Sequence, residues 1–227
     1  ITKSEEENIM DQAVGSKIAD YLIKPVNPNQ ILIAIKKHLH SERLVSQKVT
    51  GDYRQEFGEL GMLINTAQSI DDWYALYGRL VFREMELAQA DTNMGEMLET
   101  QKKEANSEFY KWVRRRYEDW LSPDCTDKPL MSPRIFPEKV FPLLDAGEKV
   151  FFILIDNFRL DQWRTIMPML ADYFNFDESI YTTILPTATQ YARNAIFSGL
   201  MPVQIEKMFP ELWVDEDSEE GKNINES

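Results

Sequence analysis

Two residues in the second half of the chain have the types that metal-assisted nucleophilic chemistry uses. Asp156 directly follows the longest apolar run, and Thr189 ends the short segment PTAT. A carboxylate is a hard ligand that suits a divalent metal ion. A threonine hydroxyl is a weak nucleophile until a base or a metal activates it. Together the two residues predict such a site, whereas either residue alone is more simply interpreted as a helix cap.

A parallel sheet is the element that would bring these residues together. Residues 149–155 consist of Lys149 and an unbroken apolar run over 150–155, which is typical of a strand buried on both faces. Helical spacing follows over residues 159–174, and then a second strand is predicted over 179–185. Another helix starts after that strand and stops near Gly199. Since loops at the carboxyl ends of parallel strands meet at one crevice, we expect both residues on one rim of the sheet.

The first 42 residues predict the closing half of another α/β unit. Ser4 starts a helix with acidic residues in its first turn, and residues 19–25 (ADYLIKP) form a short strand that proline ends. Asn27 then caps a helix with Pro28 in its first position. Half a sheet cannot cover its own faces, so we expect a fragment that begins inside a domain. The face that this second helix should bury consists of Ile31, Leu32, Ile35 and Leu39.

Residues 43–122 lack a strand pattern and predict a three-helix bundle. Apolar residues recur every three or four positions in three stripes, and Ser69 caps the second helix with acidic residues behind it. Prolines then interrupt the chain and predict a connector over residues 123–148. The predicted stripes contain Tyr53, Phe57, Leu60, Ile64, Ala67, Trp73, Leu76, Tyr77, Leu80, Val81, Met97, Leu98, Ala105, Phe109, Trp112, Val113, Tyr117 and Trp120.

Composition limits the classes of function. The chain has 25 basic and 38 acidic residues and a net charge of −13, which disfavours a protein that coats nucleic acid. Its one cysteine, Cys125, excludes a disulfide scaffold and a cysteine-rich zinc finger. The longest apolar run is too short to span a bilayer, and no signal-peptide pattern opens the chain. We therefore expect a cytoplasmic protein without membrane insertion.

The N-terminal pattern resembles the C-terminal part of a response-regulator receiver domain, which has a flavodoxin-like α/β fold. Thr2 at a strand end, and Tyr21 and Lys24–Pro25 within ADYLIKP, carry this resemblance. It implies that Thr2 and Lys24 contact a phosphoryl group, that Tyr21 changes rotamer as a switch, and that the Lys24–Pro25 bond is cis. The phosphoacceptor aspartate and the ligands of the receiver's Mg²⁺ would then lie outside this chain. The implied partner is a histidine kinase.

The second half of the chain resembles the start of an alkaline-phosphatase-superfamily core, and most closely a PglZ domain. The segments FFILIDNFRLDQW and YTTILPTATQYARNAIFSG carry this resemblance. By position, it implies that Asp156 binds a metal and that Thr189 is the metal-bound nucleophile, with Thr187 as the rival nucleophile. Asn157 and Arg193 are the residues implied to orient the phosphoryl group. Two zinc ions are implied for the full-length protein.

The order of these parts resembles response regulators of the type IX secretion system that have a PglZ output domain. The resemblance implies a zinc-dependent phosphodiesterase that acts on cyclic or linear oligonucleotides and forms a homodimer on phosphorylation. A sigma factor or a secretion-system component is implied as a further partner. The predicted parts are a receiver segment (1–42), a helical bundle (43–122), a connector (123–148) and the first part of the hydrolase domain (149–227).

The set of metal ligands is incomplete in this chain. Its two histidines, His38 and His40, fall near the receiver segment, and the acidic residues 215–220 are interpreted as a solvated loop. We therefore expect the 227-residue chain alone to be inactive. The alternative function is a phosphorylation-controlled interaction protein with a non-catalytic hydrolase-like domain. The sequence that follows in the full-length protein would distinguish the two functions, because Asp–His pairs there would favour the enzyme.

Overall fold

Helices dominate the structure, a computed structural model that describes Leu22, residues 24–90 and residues 93–214, without the side chains of residues 38–42. Within these described residues, no strand is formed. None of the described helices is both long enough and apolar enough to cross a bilayer.

The chain divides into two compact units, Ile1–Phe109 and Tyr110–Ser227. The first unit is built on one long helix, α1 (Pro28–Thr66), whose 39 residues span about 58 Å. Helix α1 passes without a break through residue 42, where the sequence predicts the end of the receiver segment. One helix therefore belongs to both predicted parts.

Helix α1 begins with the asparagine cap and the proline that the sequence predicted. The backbone N–H of Asn29 donates to the Asn27 side chain at 2.9 Å, and the Asn27 N–H donates to the Gln30 side chain at 3.4 Å. These two bonds satisfy amide groups that the first helical turn leaves without backbone acceptors. Pro28 occupies the first turn, and the Lys24–Pro25 peptide bond before it is cis, as predicted.

Two further helices complete the predicted bundle pattern. Helix α2 (Ile70–Ala88) is capped by Ser69, and α3 (Gly95–Arg114) follows a turn at residues 93–94. The Asp72 N–H donates to the Ser69 hydroxyl at 3.1 Å, while the Ser69 N–H donates to the Asp72 carboxylate at 2.9 Å. This reciprocal cap confirms the predicted helix start. Hydrogen bonds from backbone N–H groups lower the pKa of Asp72.

Most of the buried apolar side chains of the first unit come from the predicted stripes, and Val49 and Leu87 are the two that the stripes did not include. Trp73 and Phe109 pack with their ring centroids 5.2 Å apart. A tertiary core of this kind provides most of the stability of such helices. The buried apolar residues of this unit include Val49, Tyr53, Leu60, Ile64, Trp73, Leu76, Leu80, Val81, Leu87, Leu98 and Ala105.

One polar pair is buried within that core. The Tyr53 hydroxyl donates to Gln101 Oε1 at 3.2 Å, and Gln101 Nε2 donates to the carbonyl of Phe57 at 3.0 Å. Burial, together with the nearby charge of Glu56, raises the pKa of Tyr53 to about 12. The pair links α1 to α3 with directional bonds, which apolar packing alone does not supply.

Several residues predicted to be buried are exposed. Leu32 and Ile35 on the first part of α1 are half-exposed, and Phe57, Tyr77 and Met97 are each more than a third exposed. Spacing along a helix identifies an apolar face, but burial also requires another element to pack against that face. The sequence pattern did not specify which parts of each face are covered.

A charged cluster joins α1 to α2. The Glu56 carboxylate accepts hydrogen bonds from both Arg79 and Arg83, and the side chains of Glu56 and Arg83 are each 14% exposed. Burial alone would raise the pKa of Glu56, but the hydrogen bonds from the two guanidinium groups outweigh it and lower that pKa. Arg79 also contacts Glu59 at 3.1 Å, where the carboxylate is 65% exposed.

Short helices form the second unit. Helix α6 (Leu160–Leu170) follows the segment that contains Asp156, and α7 (Thr189–Ser198) begins at Thr189. Helix α7 ends at Gly199, whose φ of 69° is a conformation that favours glycine. Pro133, Pro137 and Pro142 of the predicted connector each occupy the second position of a short helical turn, where a missing N–H costs no hydrogen bond. The other elements are α4 (Tyr117–Leu121), a 3₁₀ turn (Ser132–Arg134), a π-helical turn (Phe136–Val140), α5 (Phe141–Asp145) and α8 (Pro202–Met208).

The strands predicted for residues 149–155 and 179–185 are not formed. The sole β pairing in the described part of the chain is an isolated parallel bridge between Met131 and Thr182. Phe151 is 90% exposed and Ile153 is 79% exposed, whereas a strand within a parallel sheet would bury both. An apolar run becomes a strand only when neighbouring strands accept its backbone hydrogen bonds, and none of the described residues provides such a strand.

The Glu56 cluster predicts a stability difference at neutral pH. Glu56→Gln keeps the shape but leaves Arg83 without its carboxylate partner, so we expect the free energy of unfolding to fall by about 1–3 kcal/mol. Glu59→Gln is the matched control, since an exposed pair contributes less than about 1 kcal/mol. Urea unfolding at pH 7 measures both variants, and equal stability of the two would contradict the prediction.

The same cluster predicts a pH dependence. Because the folded-state pKa of Glu56 is lowered, its contribution is complete above the unfolded-state value of about 4.3 and is lost as pH falls through the folded-state pKa. We expect the wild-type chain to lose more stability than Glu56→Gln between pH 5 and the acid limit of the urea measurement. Parallel curves for the two proteins would show that Glu56 is not the titrating group.

Candidate active site

Thr189 opens helix α7 and is partly buried. Ala188 precedes the helix in an extended conformation, and its carbonyl accepts from the N–H groups of Tyr191 and Ala192, each at 3.0 Å. The start of a helix favours negative charge because its amide groups and dipole point toward it. Thr189 therefore lies at a helix end that favours a negatively charged group. Thr187, the rival nucleophile, lies two residues earlier and is exposed.

Arg193 lies one turn after Thr189 on the same helix. Residues four apart share a helix face, so the guanidinium side chain and the threonine side chain extend from the same side of α7. Arg193 is only partly buried. This arrangement is compatible with the predicted role of Arg193 in orienting a phosphoryl group.

The segment that leads to Thr189 is fixed by hydrogen bonds to distant residues. The Thr182 N–H donates to the carbonyl of Leu130 at 2.9 Å, and the Ile184 N–H donates to the Ser132 hydroxyl at 3.3 Å. The Ser132 and Thr183 hydroxyls are also 3.3 Å apart. Ser132 is fully buried, and Ile184 beside it is too. A buried hydroxyl thus replaces part of the pairing that the predicted strand would have had.

Asp156 lies in an exposed turn. The next residue, Asn157, has a φ of 55°, in the left-handed region where asparagine is one of the few tolerated residues. The structure therefore places the predicted metal ligand at a sharp change of chain direction, with its carboxylate accessible to solvent. Asn157 is exposed as well.

An aromatic cluster ties the Asp156 segment to helix α7. The Phe152 ring lies 4.7 Å from the ring of Phe136 and 5.8 Å from that of Phe197, and Phe136 and Phe197 are 5.6 Å apart between centroids. Asp156 follows Phe152 by four residues, and Thr189 precedes Phe197 by eight on α7. Phe136 is therefore the common contact of the two segments that carry the candidate site residues.

The described residues do not form a metal-binding cluster. Across residues 24–90 and 93–214, no group of three or more histidine, cysteine, aspartate or glutamate side chains comes together. The side chains of His38 and His40 and the acidic residues 215–220 lie outside the described part. Asp156 and Thr189 alone do not fit a two-zinc centre, which needs several Asp and His ligands.

Of the receiver residues, only Lys24 falls in the described part. It is exposed in a bend immediately before α1. Thr2 and Tyr21 lie outside the described residues. The predicted switch function of these three residues stays a prediction.

A cleft of about 330 Å³ lies in the first unit and contains none of the predicted site residues. Its lining includes Asp52, Glu56 and Arg79, and the two arginines in it are paired with carboxylates. These pairs are part of the cluster that joins α1 to α2. The cleft is therefore explained by the packing of the bundle.

Two family models match the chain. The PorX response regulator linker domain matches residues 43–121, and the BREX system PglZ alkaline phosphatase-like domain matches residues 135–227. This pair identifies the chain as PorX-like. No curated protein matches the chain. A PorX-like chain combines a response-regulator linker with a hydrolase-like domain, and Thr189, Asp156 and Phe136 all lie in the PglZ-matching segment.

Sequence reasoning missed the residues that support the candidate site. Ser132 and Phe136 were part of a presumed connector, and Tyr117 was assigned to the core of the bundle. Tyr117 accepts a hydrogen bond from the N–H of Leu185 at 2.7 Å, across 68 positions. Contacts at such a separation leave no periodic signal in a single sequence.

The aromatic cluster predicts that Phe136→Ala destabilises the second unit. Phe136 contacts three other rings and is partly buried, so we expect a loss of about 2–3 kcal/mol in the free energy of unfolding. Phe151→Ala is the matched control, because Phe151 is 90% exposed and its removal should change stability by less than about 0.5 kcal/mol. Urea unfolding followed by tryptophan fluorescence measures both. Equal losses would show that the cluster does not hold this unit together.

Proposed function

We propose that the chain belongs to a response regulator whose output domain is a metal-dependent phosphodiesterase with Thr189 as the nucleophile. Phosphoesters such as cyclic or linear oligonucleotides are the proposed substrates. The observation that supports this most is the position of Thr189 at the start of α7, within the segment that matches the PglZ model. A linker of the PorX type precedes it in the same chain.

The proposed reaction proceeds through a covalent intermediate. The Thr189 oxygen attacks phosphorus and forms an O–P bond, while the P–O bond to one alcohol breaks and that alcohol leaves with the hydroxyl proton. The second alcohol of the diester stays on phosphorus in the threonine ester, and water then cleaves the bond to Thr189, which releases a phosphomonoester and regenerates the hydroxyl. Amide groups at the start of α7 and the guanidinium of Arg193 would stabilise the charge of the phosphoryl group, because the amide groups carry partial positive charge and Arg193 lies one turn after Thr189 on the same helix.

Zinc is the metal that the resemblance to the alkaline-phosphatase superfamily implies, with Asp156 as one ligand. The described residues do not supply a complete set of ligands, so further ligands would have to come from other parts of the full-length protein. For the same reason, the 227-residue chain alone should not turn over a phosphodiester with added zinc.

The nucleophile is tested with a matched pair of variants in the full-length protein. Thr189→Val keeps the shape and removes the oxygen, so hydrolysis of bis-p-nitrophenyl phosphate should fall by about three orders of magnitude or more. Thr187→Val should retain turnover. Normal turnover in Thr189→Val together with loss in Thr187→Val would move the nucleophile to Thr187.

Metal content gives this test a second readout. Asp156→Ala should lower bound zinc as well as turnover, whereas Thr187→Val should leave bound zinc unchanged. If neither threonine variant loses turnover, the assignment of the site is wrong.

Phosphorylation is the proposed control of this output. Thr2, Tyr21 and Lys24 would respond to a phosphoryl group placed by a histidine kinase on an aspartate outside this chain, next to a Mg²⁺ ion. The proposed consequence is a homodimer, and a sigma factor or a component of the type IX secretion system is the proposed further partner. Helix α1, which starts four residues after Lys24, is the element that continues from this region into the bundle.

The receiver proposal is tested by Lys24→Ala in the full-length protein. An ammonium group that pairs with the phosphoryl charge couples phosphorylation to the active state, so its loss should abolish phosphorylation-dependent dimerisation. Lys36→Ala is the matched control, since Lys36 is an exposed residue of α1. Light scattering with and without acetyl phosphate measures the mass. Unchanged dimerisation in Lys24→Ala would contradict the proposal.

A second candidate function is a phosphorylation-controlled interaction protein with a non-catalytic hydrolase-like domain. The absence of a ligand cluster among the described residues favours this alternative. Full-length protein that binds no zinc and hydrolyses no phosphodiester, yet still dimerises on phosphorylation, would support it.

A further inference from the structure

A hydroxyl group holds the backbone four residues before Thr189. The Leu185 N–H donates to the Tyr117 hydroxyl at 2.7 Å, which is shorter than the bonds from the Thr182 N–H to the carbonyl of Leu130 and from the Ile184 N–H to the Ser132 hydroxyl. After Leu185, only three residues remain before α7 begins. The Tyr117 bond is therefore the last long-range anchor that the structure shows before the start of α7.

Tyr117 is itself fixed by a pair of buried tryptophans. It opens α4, and its ring packs edge-on against Trp120 with centroids 6.3 Å apart. Trp120 is 4% exposed and lies 5.5 Å from the ring of Trp112, which is 5% exposed. The guanidinium of Arg116 lies over the Trp112 ring, 4.4 Å from the ring centroid. The tyrosine hydroxyl is thus carried on a closely packed aromatic group, so its position is well defined.

We propose that Tyr117 is a positioning residue for the reaction at Thr189. This inference rests on the proposed function, because it gives Tyr117 a part in the chemistry of that site. Tyr117 lies in the segment that matches the PorX linker, and Leu185 lies in the segment that matches PglZ. One hydrogen bond therefore connects the end of the linker to the loop that carries the nucleophile.

The tyrosine acts through the backbone of Leu185. A reacting atom that moves by about 1 Å can lose about 100-fold in rate, because attack requires a close and aligned approach. Losing the Tyr117 hydroxyl leaves the Leu185 N–H without this acceptor and frees residues 185–188 to shift the start of α7. Substrate affinity should change little, because this bond orients the nucleophile and leaves the bound substrate untouched.

The test compares Tyr117→Phe with Tyr110→Phe in the full-length protein. Tyr117→Phe keeps the ring on Trp120 and removes only the hydroxyl, so we expect kcat on bis-p-nitrophenyl phosphate to fall by about 10-fold, with KM within about twofold. Hydrogen exchange of the Leu185 amide should become faster, because its acceptor is lost. Tyr110→Phe alters a side chain that is 62% exposed and should change none of these quantities.

The outcomes separate this inference from the proposed function. Unchanged kcat in Tyr117→Phe, beside an inactive Thr189→Val variant, overturns the inference and leaves the proposed function intact. A rise in KM at constant kcat, or unchanged exchange at Leu185, also overturns it. Full activity in Thr189→Val overturns the proposed function and the inference together. A lower kcat at constant KM, with faster exchange at Leu185, supports the positioning role.

Discussion

Backbone N–H groups outside helices and strands need other acceptors, and the path of the chain in the second unit depends on how this requirement is met. Residues 182–185 have no neighbouring strand in the described part, so the carbonyl of Leu130 and the hydroxyls of Ser132 and Tyr117 accept instead. These bonds set the path of the chain into α7. The position of Thr189 is consequently determined by side chains that lie 57 and 72 residues before it.

The described helices of the first unit meet the same requirement locally, which is why the sequence predicted where they start. Helices satisfy their own backbone groups, and only their ends need help from side chains. Asn27 and Ser69 supply that help at two helix starts, and Gly199 ends α7 in the second unit with the expected left-handed backbone. Caps and helical spacing act within a few residues, so a single sequence contains the information needed to find them.

The failures of prediction come from features that are not local. Residues 149–155 have the composition of a buried strand, yet a strand also needs partners, and periodicity cannot show whether partners are present. Leu32 has the spacing of a buried residue and is half-exposed for a similar reason, because burial depends on what packs against α1. Phe136, which contacts Phe152 and Phe197, shows no pattern that would distinguish it from other aromatic residues of the connector.

Different interactions therefore fix the positions of the two candidate site residues, Thr189 and Asp156. Two features fix the position of Thr189: the start of α7, which the sequence predicted, and the hydrogen bonds to residues 182–185, which the structure shows. Asp156 is placed by the turn at Asn157 and by the packing of Phe152, whereas the sheet rim that motivated its pairing with Thr189 is not formed among the described residues. A parallel sheet would bring two strand ends close whatever their side chains, whereas the aromatic cluster joins the Phe152 segment to α7 only through particular rings. The chemistry proposed for Asp156 thus depends on Phe136 and its neighbours, while the nucleophile depends on the hydroxyl groups that fix its loop.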